Sequence, residues 1–328
     1  MKIALLGIGA VGKGLLEVIE EKQLDLVVTG VADSKSAIID HDGIRIGEVL
    51  EAKQRWGSLG DKTIGAMEVV TRAEYDVLVE VTPTNAQTAE PALSYIKSAI
   101  LLGKHVVTSN KGPIARDFRR LHELAVAHKI QIRYEATVAG AIPIIHTLQQ
   151  GLAGNEVLAL YGVLNGTCNY ILTRMAAEGL TYDQALLEAR EMGYAEADPT
   201  YDVKGIDAAI KLVILANTIW KKQVTLDDVD ITGIDLLTTD ALRLAEDQDC
   251  TIRLIAEMVP KKDLLRVSPR IIEKTHPLVV EGSLNAITLE TDLAGEVTLI
   301  GKGAGSRETA SAILGDLLAI RDSYARGH

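Results

Sequence analysis

Short apolar runs and amphipathic stretches alternate along the first 136 residues. Residues 2–7 (KIALLG) and 24–33 (LDLVVTGVAD) are nearly continuous apolar runs. Strands buried on both faces have this pattern. Residues 11–22, between them, place apolar side chains at helical spacing. The alternation continues with a strand over 76–81, a helix over 85–102, a strand over 105–109, a helix over 117–128 and a strand over 130–136. This order predicts a parallel sheet covered by helices on both faces. Residues 34–65 are polar and Gly-rich and read as an excursion at the second crossover.

The pattern changes after about residue 140. A strand is expected over 157–165, helices near 167–178, 182–192 and 205–220, and strands near 251–259, 264–272, 286–291 and 296–301. These strands suit antiparallel pairing. Residues 306–324 form a strongly periodic helix. The predicted fold class is therefore α/β, a parallel-sheet domain followed by an α+β domain with a mixed or antiparallel sheet. No internal repeat or low-complexity linker interrupts it.

A chain of 328 residues exceeds what one core commonly supports, so two domains are expected. Hydrophobic residues make up 47% of it but aromatic ones only 4%, with Phe118 the sole phenylalanine. The core must be built from Ile, Val, Leu and Ala. A net charge of −11 without a basic stripe argues against a nucleic-acid partner. Two cysteines, Cys168 and Cys250, exclude a disulfide scaffold and suit a reducing compartment. No run reaches the roughly 18 apolar residues of a membrane span. Glycines break the apolar start of the chain and a helical pattern follows it, unlike a signal peptide. A cytoplasmic protein with no membrane partner is expected.

GIGAVG (Gly7, Gly9, Gly12) follows the first strand and opens the first helix. The first glycine of such a motif makes a tight turn, the second lets a pyrophosphate approach, and the third packs helix on strand. Ala10 and Val11 then lie at the helix start, where backbone amides favour phosphate. Asp33 ends the second strand 21 residues past Gly12, the spacing expected of a ribose-binding acid. The alternative is a glycine-rich turn packed on itself. Asp33 favours NAD, and Lys35 or Arg45 would instead serve the 2′-phosphate of NADP. Thr82 and Thr84 in VTPTN (81–85) suit the ribose–nicotinamide side, or simply a strand-end turn with a helix cap.

Residues 192–211 (MGYAEADPTYDVKGIDAAIK) are the richest in chemistry. Asp207 and Lys211 share a helix face, and the apolar run Leu212–Ala216 follows. A lysine pressed among apolar neighbours loses hydration, as does an amine that must give and take protons near neutral pH. The alternative is a surface ion pair on an amphipathic helix.

These motifs together resemble homoserine dehydrogenase in its short form, without a regulatory domain. The matching pieces are GIGAVG at 7–12, TSNKGP at 108–113, YEATVAGAIPII at 134–145, NGTCNYIL at 165–172, GYAEADPTYDVKGIDAAIK at 193–211 and GKGAGSRETASAIL at 301–314. The resemblance implies a Rossmann-like nucleotide domain over 1–140, completed by 301–328, and a substrate-binding and dimerisation domain over 141–300. It also implies reversible hydride transfer between NAD or NADP and a small-molecule substrate, L-homoserine or L-aspartate 4-semialdehyde, on the route to threonine and methionine.

Residue by residue, the resemblance makes Lys211 the acid/base and Lys111 its orienting partner beside the nicotinamide. Glu196 and Asp207 become substrate carboxylates. Asp198 either contacts substrate or fixes its loop. Gly166, Thr167 and Asn169 shape the pocket floor, and Lys204 or backbone amides meet the substrate carboxylate. Glu135, with the carbonyls of Val138, Gly140 and Ile142, would hold Na+ or K+. Gly303 would close over the cofactor, unless Ser306 and Thr309 merely begin a helix. A homodimer is implied as well. Tyr201, beside Asp202, departs from the family pattern, which commonly has an acid there. Two rivals stay open: an aspartate-semialdehyde dehydrogenase using Cys168 as nucleophile, and a non-catalytic NAD(H)-binding sensor, which should carry a basic helix-turn-helix.

Overall fold

The structure, a computed structural model, describes residues 1–221 and 223–325. The chain divides into two compact units: residues 1–140 with the chain from Gly305 on, and Ala141–Ala304.

The first unit begins with β1 (Lys2–Leu6), α1 (Ala10–Glu21) and β2 (Val27–Ala32). The excursion at 34–65 is not featureless. It holds β3 (Ala37–Ile39) and α2 (Ile46–Trp56), and α3 (Ala66–Arg72) follows it. Then come β4 (Val77–Glu80), α4 (Ala92–Leu101), β5 (His105–Thr108), α5 (Lys111–Ala127) and β6 (Ile132–Arg133). The sheet order is β3-β2-β1-β4-β5-β6. It is parallel except at its edge, where β3 runs antiparallel to β2.

Two helix starts differ from the sequence reading, each because of a proline. α4 begins seven residues later than expected, at Ala92, since Pro91 has no amide proton and suits only a helix entry. α5 begins six residues earlier, at Lys111, because Pro113 falls in the first turn, where amides lack intrahelical acceptors anyway.

The central strands are buried throughout: Ile3, Leu5, Val77 and Val79 are all 0% exposed. Leu6 pairs with Ala32 on one side and Glu80 on the other, and Glu80 pairs with Thr108. The strand ends are therefore level. The loops after them emerge along one edge of the sheet, and the strand order reverses between β1 and β4. Open α/β sheets bind ligands at that edge, at such a switch point.

The second unit opens with a short helix, α6 (Ile144–His146), then β7 (Val157–Val163), α7 (Gly166–Glu178) and α8 (Tyr182–Glu191). A turn of helix, α9 (Thr200–Val203), precedes α10 (Ile206–Trp220) and β8 (Asp230–Ile231). The pattern reading overlooked α11 (Thr239–Glu246), which buries only Leu242 and Ala245. The hairpins β9 (Cys250–Val259) with β10 (Leu264–Glu273), and β11 (Leu284–Thr291) with β12 (Gly295–Lys302), complete a sheet ordered β12-β11-β7-β9-β10-β8. Every pair is antiparallel except β8 with β10. From Ala208 to Thr218, α10 is buried on every side, as its nearly unbroken apolar run requires.

The chain returns to the first unit as α12 (Ser306–Ala325). Its Ile313, Leu317 and Ile320 enter that core with Leu15 and Leu16 of α1. No helix among the described residues is long and apolar enough to cross a membrane.

Candidate active site

In the first unit, two of the three glycines are explained by their own packing. Gly7 has φ +103°, and a Cβ there would lie 2.6 Å from the Val81 carbonyl oxygen. A Cβ on Gly12 would come within 1.9 Å of the Gly7 oxygen. Gly9 differs, since a Cβ there would meet nothing within 4 Å. It leaves open space at the head of α1, where Ala10 and Val11 begin the helix with no side-chain cap. The amides of that first turn have no helical acceptor. Open space and unmet donors together fit a dinucleotide phosphate. α12 meets the same helix, with the Ser306 hydroxyl donating to the Ala10 carbonyl at 2.5 Å.

Asp33 is more enclosed than a free ribose-binding acid. Its Oδ1 accepts from the amides of Lys35 and Ser36 at 2.7 and 2.8 Å, and its Oδ2 meets Lys53 Nζ at 2.5 Å. Burial works against the charge. The Lys53 ammonium and the two amides outweigh it and hold the carboxyl below its usual range. Arg45 is spent on Glu48 at 3.0 Å. The cation at the end of β2 is thus Lys53, which the sequence reading passed over because it lies on α2, 20 residues beyond Asp33.

On the other side of the switch point, the Thr82 amide donates to Glu80 at 2.9 Å, while Thr84 is exposed. Lys111, half-buried, is the first residue of α5. Asn110 caps that helix, accepting from the Gly112 amide at 3.2 Å.

In the second unit, Lys211 is 8% exposed and makes a 2.7 Å ion pair with Asp207. Its Nζ also donates to the Leu164 carbonyl at 2.7 Å. The ion pair expected of an amphipathic helix is present, but it is buried rather than on the surface. Asn165 Nδ2 donates to Asp207 at 3.0 Å and to Asp202 at 2.6 Å. The sequence reading left Asn165 and Asp202 without roles. Asn165 also caps α7 through the Cys168 amide. Burial pushes the Asp202 carboxyl up and the Asp207 charge adds to it, while Asn165 opposes them. Five groups from three segments thus form one polar network: Leu164 and Asn165, Asp202, and Asp207 with Lys211.

The remaining candidates sort by their contacts. Glu196 is exposed and has no hydrogen-bond partner among the described residues. Asp198 is turned to its own loop, accepting from the Thr200 amide and hydroxyl at 3.1 and 2.6 Å. Lys204 pairs with Asp235 at 2.7 Å. The Thr167 hydroxyl donates to the Tyr194 carbonyl at 2.7 Å. A Cβ on Gly166 would lie 2.7 Å from the Ser283 oxygen, which fixes glycine there. Asn169 clamps the carbonyls of Val280 and Gly282, both at 2.9 Å. Gly303 is glycine because the Asn285 carboxamide fills its Cβ space, 2.2 Å from Cγ. Asn285 is 0% exposed with both amide atoms unpartnered.

Cys168 is no nucleophile. It is 0% exposed, burial pushes its thiol well up, and its Sγ donates to the Asp202 carbonyl at 3.1 Å. The rival that depended on it falls.

In the candidate cation loop, Glu135 is 2% exposed and its amide donates to Asp316 at 2.9 Å. Val138 is 0% and Ile142 2% exposed, and Ala139 and Gly140 both take left-handed conformations, φ +58° and +54°. The residues are buried on a tightly curled loop, and carboxylate and carbonyl oxygens are the ligand type a hard ion takes.

Two family models match the chain: "Homoserine dehydrogenase, NAD binding domain" over residues 7–135 and "Homoserine dehydrogenase" over residues 143–318. A homoserine dehydrogenase of Methanocaldococcus jannaschii is 43% identical over 98% of this chain and 99% of its own. The crystal structure of a putative homoserine dehydrogenase from Archaeoglobus fulgidus superposes with a TM-score of 0.92 at 46% identity, covering 98% of this chain and 99% of that one. A hyperthermophilic archaeal homoserine dehydrogenase in complex with NADPH superposes with a TM-score of 0.85 at 32% identity, covering 98% of each chain.

Proposed function

The chain belongs to the homoserine dehydrogenase family, NAD(P)-dependent oxidoreductases of amino-acid biosynthesis, and from that premise we propose which of its residues carry the reaction and how. The observation that carries the reading is Lys211, a buried amine held between a carboxylate and a carbonyl. A surface lysine would not need two fixed acceptors. A buried ammonium must be met by acceptors, and two of them fix the direction left for its third proton, which is what a positioned proton donor requires.

When bound, the nicotinamide supplies hydride in one direction and accepts it in the other. In the reductive direction, Lys211 Nζ gives its proton to the aldehyde oxygen as that oxygen gains charge. In the oxidative direction the same nitrogen takes the hydroxyl proton. Asp207 holds Nζ on one side, and Asn165 steers Asp207. Glu196, with no internal partner, is left to meet the substrate ammonium. Lys204 is engaged with Asp235, so the substrate carboxylate falls to the amides at the head of α7, beside Gly166 and Thr167, while Asp198 fixes its own loop. Lys111 is the second lysine of the reaction and orients the reacting oxygen. Gly303 serves the fold through Asn285.

For the dinucleotide, Gly9, Ala10 and Val11 receive the pyrophosphate while Gly7 and Gly12 shape the turn. Thr82 and Thr84 line the nicotinamide side. With Asp33 occupied, Lys53 meets the adenosine ribose, which makes both NAD and NADP acceptable. Glu135 and the carbonyls of Val138, Gly140 and Ile142 hold a monovalent cation, Na+ or K+. A second copy pairs through the sheet of the second unit, where Ile271 on β10 and Ile300 on β12 are 66% and 54% exposed. The enzyme works in the cytoplasm.

The test is the absorbance of reduced nicotinamide on mixing enzyme with L-homoserine and each cofactor in turn. Turnover is expected with both cofactors. Turnover with neither would end the reading.

A further inference from the structure

Glu80 is a buried acid that the reaction above does not use. It ends β4, is 0% exposed, and has no cation within ion-pair reach among the described residues. Burying a carboxylate without a countercharge costs several kcal/mol unless hydrogen bonds meet it, and an apolar side chain would fill the same space more cheaply. What Glu80 gains is contact with two loops. Its Oε1 accepts from the Thr82 amide at 2.9 Å and from the Thr82 hydroxyl. Its Oε2 accepts from the Thr108 hydroxyl at 3.1 Å.

Thr108 ends the neighbouring strand and is 0% exposed. Its Oγ1 also accepts from the Asn110 amide at 2.9 Å. Asn110, 1% exposed, donates to the Thr82 carbonyl at 3.1 Å and caps α5, of which Lys111 is the first residue. The four side chains close a box. One wall is the loop after β4, the other is the loop after β5, and Glu80 lies at its base.

We propose that Glu80 is a positioning residue for the dehydrogenase reaction: its carboxylate locks the Thr82 loop to the Thr108–Asn110 turn and so fixes where Lys111 starts its helix. The idea rests on the role given to Lys111 above. Burial pushes the Glu80 carboxyl up and outweighs the bonds from Thr82, Thr108 and Asn110 that pull it down; the carboxyl is kept in this place for what it connects.

The experiment is a double-mutant cycle on the full chain. Glu80→Gln should lower kcat about 10-fold, within the roughly 100-fold that a 1 Å misplacement of a reacting group can cost, with the homoserine KM within about 2-fold. Amide exchange at Asn110 and Gly112 should quicken by a similar factor. In a Lys111→Ala background, adding Glu80→Gln should lower kcat no further, since residues acting as one unit are not additive. Multiplicative losses would overturn the proposal, as would an unchanged kcat in Glu80→Gln. Should Lys111→Ala turn over at the parent rate, the role of Lys111 falls, and any kcat loss in Glu80→Gln then counts against the link as well. If Glu80→Gln does not fold, Thr108→Val cuts the same connection and Thr108→Ser keeps it. The first should lose kcat and the second retain it, and equal behaviour of the two would refute the box.

Discussion

Each unit of this protein holds a short lysine–aspartate pair among its candidate site residues, and these two pairs differ in kind. Asp207 and Lys211 lie 2.7 Å apart with side chains 13% and 10% exposed. Asp33 and Lys53 lie 2.5 Å apart, the acid 4% and the lysine 27% exposed. The first pair is a helical i,i+4 contact within a larger network that includes Asn165, Asp202 and the Leu164 carbonyl. The second joins a strand end to a helix: the acid accepts from the amides of Lys35 and Ser36 and from the Ser36 hydroxyl, and the lysine also donates to the Gly57 carbonyl at 3.3 Å on its own exposed helix end. On the function proposed above, the buried pair with extra acceptors places a proton, and the pair whose lysine reaches towards water sets the charge that an incoming ligand meets.

That contrast predicts opposite kinetic signatures. Lys211→Ala should lower kcat by about 10²–10⁴-fold, the range of a lost acid/base group, while leaving cofactor affinity nearly unchanged. Steady-state rates with a cofactor titration check it, and turnover within a few-fold of the parent would remove Lys211 from its role. Lys53→Ala should leave kcat close to the parent. If both substitutions cost turnover equally, the two pairs are not different in kind.

Next in size is the substrate contact. Glu196→Ala should raise the homoserine KM by about 10-fold or more, since a lost hydrogen bond to a charged group costs roughly 1.5–3 kcal/mol. The cofactor KM should hold. A parallel rise in both would point to damage across the fold.

The same contrast shows how much the chain discloses before it folds. Asp207 and Lys211 could be paired on paper because helical spacing puts them together. The glycine loop, nearly all the strands and the long helices were legible for the same reason: each depends on local period. Lys53 was not, because nothing in residues 33–53 says that α2 will fold back over the end of β2. Asn165 and Asp202 escaped for a like reason, being brought to Asp207 by the packing of three segments. Asn285 gave no signal either, since its packing against Gly303 follows from the β11–β12 register. The antiparallel β3 hid in a polar stretch whose three residues carry too little pattern to read. The two displaced helix starts were misread at prolines, which mark a boundary without saying on which side the helix lies.

A smaller effect concerns cofactor choice. Removing the Lys53 ammonium should free the Asp33 carboxylate and turn the site against a 2′-phosphate. Lys53→Ala is therefore expected to shift the NADP-to-NAD ratio of kcat/KM towards NAD by about 10-fold, near 1.4 kcal/mol. An unchanged ratio, or a shift towards NADP, would mean that Lys53 neither meets the 2′-phosphate nor screens Asp33 from it.

The smallest effect reads the second pair through its pH dependence. Against the opposing pull of burial, Lys53 and two amides hold the Asp33 carboxyl below its usual range. A group with a lowered folded value binds fewer protons folded than unfolded, so its stabilisation is complete above the ordinary carboxylate range and drains away as the pH falls. Asp33→Asn should therefore cost about 1 kcal/mol or less at neutral pH, the scale of a partly exposed ion pair, and the gap should close in acid. Thermal midpoints of the two proteins at neutral and acidic pH measure it. A gap that stays constant would mean that neither Lys53 nor the two amides stabilise the charged carboxylate in preference to the neutral one. Lys53 would then contribute no stability through charge, and its place beside an incoming ligand would be left to explain it.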